Sequence, residues 1–419
     1  MILIESGKVL TMSGWRHADV LIESGKVKEI GRGLRAETVI DASGCLVGPG
    51  LVDIHTHARE PGETWKEDIS SASMAAVRGG YTAVVTMPNT VPPADSPKVT
   101  GLIEEIGRRV GLVDVIPAGT LTVGRAGAAA ANVEALYESG VRMFTDDGDS
   151  VGDTETLREI MLRLADLPGA IVAQHAEDAS MTTGGHMHEG ELSGRLGMGG
   201  LPTEAETSVV ERDLKLVRET GASYHCQHVS SKMTLDLIRD AKDEGLPITA
   251  EVTPHHLSFD VSRLDTLDTN FKMYPPLRTD QDRAALVAAL DDGTIDVVAT
   301  DHAPHGAEEK TAVFTHAPRG VIGLETAASA VWAALGDETR MFEAMSIVPA
   351  RIMGLGSQGL PVAPGNPANL VVFDPAAEWV ADDFASKSAN SPFLGSTMKG
   401  RVVATFHHGD LVLRVGGQS

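Results

Sequence analysis

Cysteine is almost missing from this chain: Cys45 and Cys226 are the only two in 419 residues. Two cannot build a disulfide framework, so a reducing, cytoplasmic setting is expected. Basic charge is also short, with 35 Lys and Arg against 58 Asp and Glu and a net charge of −23. Binding to nucleic-acid phosphates or to an anionic membrane surface rests on clustered Lys and Arg, and this deficit argues against both. Long apolar runs are missing too. The longest uncharged stretch, 352–373, holds three prolines and four glycines and cannot be a membrane-spanning helix. The opening MILIESGKVL has no basic segment leading into an apolar one, so no secretory leader is expected. Beyond an alanine-rich stretch at 126–131 there is no low-complexity tract, and no short repeat. What is there is the balance of a globular protein, 42% hydrophobic and 22% charged. Its length suits a large barrel or two domains.

The first fifty residues read as short strands, with a Ser24-Gly25 turn between two of them. From residue 51 the pattern changes to buried strands at 51–55, 82–87, 114–118, 142–145, 170–174, 223–227, 248–252 and 296–300. Helical periodicity fills the gaps, as at 66–79, 97–109, 153–165, 203–220 and 231–244. Eight strands alternating with helices over roughly 250 residues predict an α/β (β/α)8 barrel. After about residue 360 the text returns to strands. The domains expected are therefore a barrel at 51–359 and one small β-sandwich built from 1–50 and 360–419.

Candidate metal ligands gather at the predicted C-terminal strand ends, where barrels of this kind carry their chemistry. His55 and His57 end the first strand, and a period of two puts both imidazoles on one face. Asp147 follows the fourth strand, His175 ends the fifth, His228 follows the sixth and Asp301 ends the eighth. A lone His-x-His is weak, but this inventory of nitrogen and carboxylate donors suits up to two zinc ions. Asp146 competes with Asp147, since only one of the adjacent pair can face the axis. His186, His188, His255 and His256 fall outside the set, and His407 and His408 lie in the terminal strands. Two cations sharing a carboxylate can activate water and polarise a carbonyl. Asp301, both ligand and neighbour of that water, is placed to accept its proton and pass it to a leaving nitrogen. The chemistry expected is hydrolysis or formation of a C–N bond at a carbonyl.

Arg59, two residues past His57, is a cation in an acidic chain and points to a small-molecule substrate with a carboxylate. The structural alternative is an ion pair with Glu60, Glu63 or another loop acid. Asn89 supplies an amide at the same mouth, and His305 a further donor.

Together GLVDIHTHAREPGETWKEDI, VVTMPNTVPPAD, FTDDG, HAED, QHVSS, PPLR, ATDHAPH with the nearby EEK, GLETA and SKSANSPFLG make the chain resemble the class I dihydroorotases of the amidohydrolase superfamily. The resemblance covers nearly the whole chain. It implies a (β/α)8 barrel with a β-sandwich and reversible interconversion of N-carbamoyl-L-aspartate and L-dihydroorotate. By match to its motifs His55, His57, Asp147 and Asp301 would bind one zinc, and Asp147, His175 and His228 a second. Asp147 takes a position that many relatives fill with a carboxylated lysine. Asp301 would be the general acid and base, and Arg59, Asn89 and His305 would hold the substrate carboxylate. His57, Tyr274, Arg319 and Gly320 complete the expected substrate contacts. Two positions depart from the family pattern: Tyr274 stands before PPLR where Asn is usual, and Arg319 before Gly320 where an apolar residue is usual. Both bear on substrate recognition. A homodimer and a complex with aspartate transcarbamoylase are the macromolecular partners expected. Two other readings compete, a hydantoinase or allantoinase, and a non-catalytic scaffold of aspartate transcarbamoylase; the filled ligand positions argue against the scaffold.

Overall fold

A computed structural model describes residues 1–415 of the protein. Its barrel strands are Leu51–Thr56, Tyr81–Thr86, Asp114–Pro117, Met143–Phe144, Ile171–Gln174, Tyr224–Cys226, Ile248–Val252 and Val297–Val298. All eight overlap the stretches expected from the sequence. They pair in parallel as one group of three and one of five. Parallel bridges between Gly119 and Phe144, and between Thr56 and His302, join the groups into a ring. The helices Ile69–Arg78, Pro97–Val110, Thr154–Ala165, Glu204–Thr220 and Lys232–Asp243 lie where the periodicity placed them. The first begins later than 66 because Asp68 caps it, accepting from Ser71 N–H while the Ser71 side chain returns the bond.

Most barrel strands are buried on both faces, with Asp114–Pro117 only partly so, and they carry two apolar sets. Val52, Ile54, Ala83, Val85, Ile171, Ala173, Val297 and Ala299 pack in one cluster. Leu51, Val84, Val172, Tyr224, Val252 and Val298 pack in another, with the helices. Unbroken alternation would put His55 on the side of Leu51, away from the first cluster. The pairing of the first two strands slips here: Asp53 faces Val84 and Thr56 faces Thr86, so two residues, Ile54 and His55, stand against one, Val85. His55 lies in this bulge and meets Gln227, which also meets Met87 of the first cluster.

The two ends of the chain pair as expected. Ile2–Thr11, Gly14–Glu23, Lys26–Gly31, Thr38–Asp41 and Leu46–Pro49 join Leu370–Val380, Thr397–His407 and Asp410–Arg414 in one mixed eight-stranded sheet. Its seam is antiparallel, Leu370 to Phe373 against Leu46 to Pro49. Ile4, Val9, Val20, Ile40, Val47, Val372 and Phe406 form its separate core. One stretch departs from the simple division into two domains. Between the strands Leu370–Val380 and Thr397–His407 the chain leaves the sheet and reaches the barrel mouth. There Asn390 Nδ2 donates to Ala303 O and Gly320 O, both at 3.1 Å.

Asp53 shows how the ring is tied. It is fully buried, and its carboxylate accepts from Thr300 N–H at 3.0 Å, from the Thr300 hydroxyl and from the Thr56 hydroxyl at 2.7 Å. The first and eighth strands are thus joined just beneath the residues that end them. Asp53→Ala strands these donors in the interior and should cost ~2–4 kcal/mol. Urea unfolding followed by circular dichroism should show the midpoint fall, and an unchanged midpoint would remove Asp53 from the barrel's framework.

Candidate metal centre

The strand ends deliver the expected ligands to one place. His55 Nε2 lies 3.3 Å from Asp147 Oδ1 and 3.5 Å from Asp301 Oδ1. His57 Nε2 lies 3.0 Å from Asp301 Oδ1 and 3.4 Å from Asp147 Oδ2. His175 Nδ1 and His228 Nε2 are each 3.7 Å from Asp147 Oδ1 and face one another at 2.8 Å. Asp147 is common to both halves of this arrangement. Its neighbour Asp146 turns away, accepting from Leu121 N–H at 2.9 Å, Thr122 N–H at 3.1 Å and the Thr122 hydroxyl. The adjacent acids therefore differ in role, one facing the axis and one tying the loop.

The donor set fits a divalent cation. His55 Nε2 and Asp147 Oδ1 are buried and without a hydrogen-bond partner among the described residues. Buried polar atoms left so are costly, and a cation held by both removes the cost. Burial acts against charge on Asp147, yet attraction to His55 and contacts with His175 and His228 hold it well below the usual carboxylate range. Burial would likewise lower His55, but Asp147 and Glu251 on either side push it well above the usual histidine range. A cation can satisfy the same carboxylates in place of that proton. Asp301 is lowered to about 2, because contact with His57 and attraction to His55 outweigh its burial. Three residues here, Arg59, His228 and Asp301, have positive φ of 56°, 32° and 45°. Such backbone is uncommon outside glycine and collects at functional sites.

Sequence reasoning overlooked what aims the ligands. Glu251, fully buried on the seventh strand, accepts from His55 Nδ1 at 2.6 Å, from His228 N–H at 3.1 Å and from His225 Nε2 at 3.0 Å. This leaves Nε2 of His55 as the lone-pair nitrogen at the centre. The available signal was a single Glu inside the buried strand ITAEV. Asn89 works similarly: its Oδ1 accepts from His57 Nδ1 at 2.9 Å, which leaves Nδ2 to meet a ligand.

A cavity of about 210 Å³ opens beside the ligands. Its wall contains His57, Arg59, Asn89, Asp147, His175, His228, Tyr274, Asp301, His305, Arg319 and Gly320, together with Gly148 and Ala303. Among the expected site residues His55 alone is missing from the wall, since it lies beneath, fully buried. Arg59 donates from Nε to Pro304 O at 3.2 Å, while Glu63, the acid whose charge most favours its guanidinium, pairs with Lys66 at 2.7 Å. His305 is lowered to about 2 by burial and by Arg59, Lys310 and Lys66. It donates from Nε2 to Arg319 O at 2.8 Å, so its buried Nδ1 is an acceptor unless a bound carboxylate brings a proton with it. Gly320 has φ of 125°, and a Cβ there would sit 2.8 Å from the Ala303 side chain and 3.0 Å from His305 Nε2. Only glycine suits that position. Arg278 of PPLR turns elsewhere, donating to Leu201 O at 2.7 Å and to the Ser230 hydroxyl at 3.1 Å.

His255 and His256 are buried, with His256 bonded to Thr253 Oγ1 at 2.7 Å and Pro275 O at 3.1 Å. His188 Nδ1 accepts from Arg278 Nη1 at 3.2 Å. His407 and His408 meet Asp114, at the opposite end of the barrel.

The dihydro-orotase-like family matches residues 44–234, a span that holds His55, His57, Asp147, His175 and His228. The chain is 45% identical over 408 residues to a dihydroorotase of Mycobacterium leprae, covering 94% of this chain and 95% of that one. It is 41% identical over 428 residues to a dihydroorotase of Streptomyces coelicolor, covering 98% of each. Among solved structures it is similar to L-hydantoinase (dihydropyrimidinase) from Arthrobacter aurescens, with a TM-score of 0.87 and 24% identity over 100% of this chain and 97% of that one. Dihydropyrimidinase from Brevibacillus agri gives a TM-score of 0.81 and 24% identity over 98% and 95%. At such identity the structural likeness speaks for the barrel and its terminal sheet alone.

If Asp147 is the shared ligand, Asp147→Asn should lower bound metal sharply, and Asp146→Asn should leave most of it while loosening the 121–122 loop. Elemental analysis of both variants after identical metal loading decides between them, and the reverse ranking would reassign the pair.

Proposed function

The chain belongs to the dihydroorotase family of cyclic amide hydrolases, and we propose that its barrel mouth interconverts N-carbamoyl-L-aspartate and L-dihydroorotate in pyrimidine biosynthesis. The observation that carries this reading is the convergence of six His and Asp ligands on a cavity that also holds Arg59 and Asn89. The substrate chemistry has matching parts: a carboxylate, a carbonyl carbon and a ring nitrogen.

His55, His57, Asp147 and Asp301 would hold one divalent cation, and Asp147, His175 and His228 a second, with zinc favoured by the nitrogen and carboxylate donors. Such ions, when bound, supply Lewis acidity and make water nucleophilic at neutral pH. The remaining work belongs to side chains. Arg59 takes the substrate carboxylate and so fixes the ring over the ligands. Asp301, ionised at neutral pH, accepts the proton of the water that adds to the carbonyl carbon. It then returns that proton to the ring nitrogen as the C–N bond breaks. In cyclisation the same carboxylate takes the proton from the ureido nitrogen as it adds to the carboxyl carbon, and gives it to the departing oxygen, which leaves as water. Glu251 and Asn89 keep His55 and His57 in the tautomers that present Nε2.

Asp301→Asn preserves size and one oxygen but removes the proton acceptor. Activity should fall by at least ~10²-fold, with metal content reduced far less. A spectrophotometric assay of dihydroorotate hydrolysis on the metal-loaded protein measures this, and activity within a few-fold of wild type would remove Asp301 as the base.

One observation favours a variant of this reading at the level of substrate preference. The two departures from the family pattern are in contact: the Arg319 guanidinium lies 3.9 Å from the Tyr274 ring centroid. The Tyr274 ring in turn lies 4.9 Å from that of His175, and Arg319 Nη2 is anchored on Gly185 O at 2.6 Å. Tyr274 therefore stands as a stacked wall beside a metal ligand. Dihydroorotate should remain the best of a panel with dihydrouracil, hydantoin and allantoin. Tyr274→Asn and Arg319→Leu should be coupled by about 0.5–2 kcal/mol in kcat/KM. Strictly additive effects would mean that the two act separately, and hydantoin outpacing dihydroorotate would move the substrate to the hydantoinase class.

A further inference from the structure

A second convergence of ligand-type side chains lies at the other end of the barrel. Asp114 begins the third barrel strand, so it sits at the N-terminal face, away from the mouth. His407 ends a strand of the terminal sheet, and His408 opens the two-residue turn into Asp410–Arg414. His408 and Gly409 have φ of 49° and 85°. Two consecutive positive values mark the turn class that favours Asn-Gly in hairpins. The turn folds the His408 ring to 4.1 Å from that of His407. Both Nε2 atoms then stand 3.1 Å from the same oxygen, Asp114 Oδ1.

We propose that Asp114, His407 and His408 form a separate site for a borderline divalent cation such as zinc, which clamps the terminal sheet to the base of the barrel. Three ligand atoms, one from each residue, lie within 4.8 Å of one another. Zinc bonds of about 2.0–2.1 Å in a tetrahedron place neighbouring ligand atoms roughly 3.3 Å apart, close to the two 3.1 Å separations. Two imidazoles and one carboxylate are the donors zinc prefers. The carboxylate is held in place from behind, since Gln358 Nε2 donates to Asp114 Oδ2 at 2.7 Å and Gln358 Oε1 accepts from Thr82 Oγ1 at 2.6 Å. A cavity of about 360 Å³ adjoins the cluster, with Glu104, Arg108 and Asp410 also in its wall, which leaves room for a fourth ligand. His408 is half exposed, so a cation can enter. The ordinary alternative is a pair of N–H groups sharing one acceptor, and it predicts no response to metal.

The test compares wild type with a His407→Gln/His408→Asn variant, both dialysed against micromolar free zinc. The wild type should retain one zinc per chain more than the variant. Its thermal midpoint should rise by at least ~2 °C with zinc, a rise the variant lacks. Dihydroorotate hydrolysis should be equal in the two, which separates this site from the mouth. His408→Asn alone, a residue favoured in that turn, should weaken the extra zinc by ~10-fold or more and serves if the double variant does not fold. Equal zinc content with equal thermal response in wild type and variant would overturn the proposal, whatever the mouth binds.

Discussion

The carboxylate of Asp147 lies 3.3 to 3.7 Å from imidazole nitrogens of His55, His57, His175 and His228. Nothing else in the barrel requires so many strand ends to agree. One buried anion ringed by nitrogen donors is stable only if a positive charge is shared among them, as a proton or as a metal. The mouth is built around that need. Strands one, four, five and six must each stop at the right height, and the groups behind the ligands must hold them in one tautomer. Glu251 does this for His55, and Asn89 for His57.

The barrel meets the need through local irregularity. The bulge between Asp53 and Thr56 reverses the first strand's alternation just before the histidines. Asp53 then ties the first strand to Thr300, one residue before Asp301. His228 and Asp301, at two further strand ends, have positive φ. These features cost stability locally and are supported by a closed ring with buried faces on both sides. The segment after Val380 extends the same support from outside, since Asn390 links Ala303 to Gly320 in the cavity wall.

Around that centre the substrate side is looser in its demands. Arg319 and Tyr274 pack on each other in the cavity wall. A guanidinium over a phenol ring is a favourable pair in its own right.

Much of this was legible in the amino-acid order. Buried strands alternating with amphipathic helices specify a barrel because each strand must be covered on both faces, and all eight strands fall where the pattern put them. The candidate ligands stood out because His and Asp recur at the expected strand ends. Other matters belonged to the tertiary structure. Periodicity alone could not reveal the bulge at His55, since the slip is defined only against the neighbouring strand. Nor could it choose Asp147 over Asp146, adjacent residues separated only by which finds the backbone N–H groups of residues 121 and 122. Glu251 and the meeting of Asp114 with His407 and His408 depend on contacts across 196 and about 293 residues. Sequence carries local preference along the chain, whereas hydrogen-bond direction between distant side chains exists only once the ring has closed.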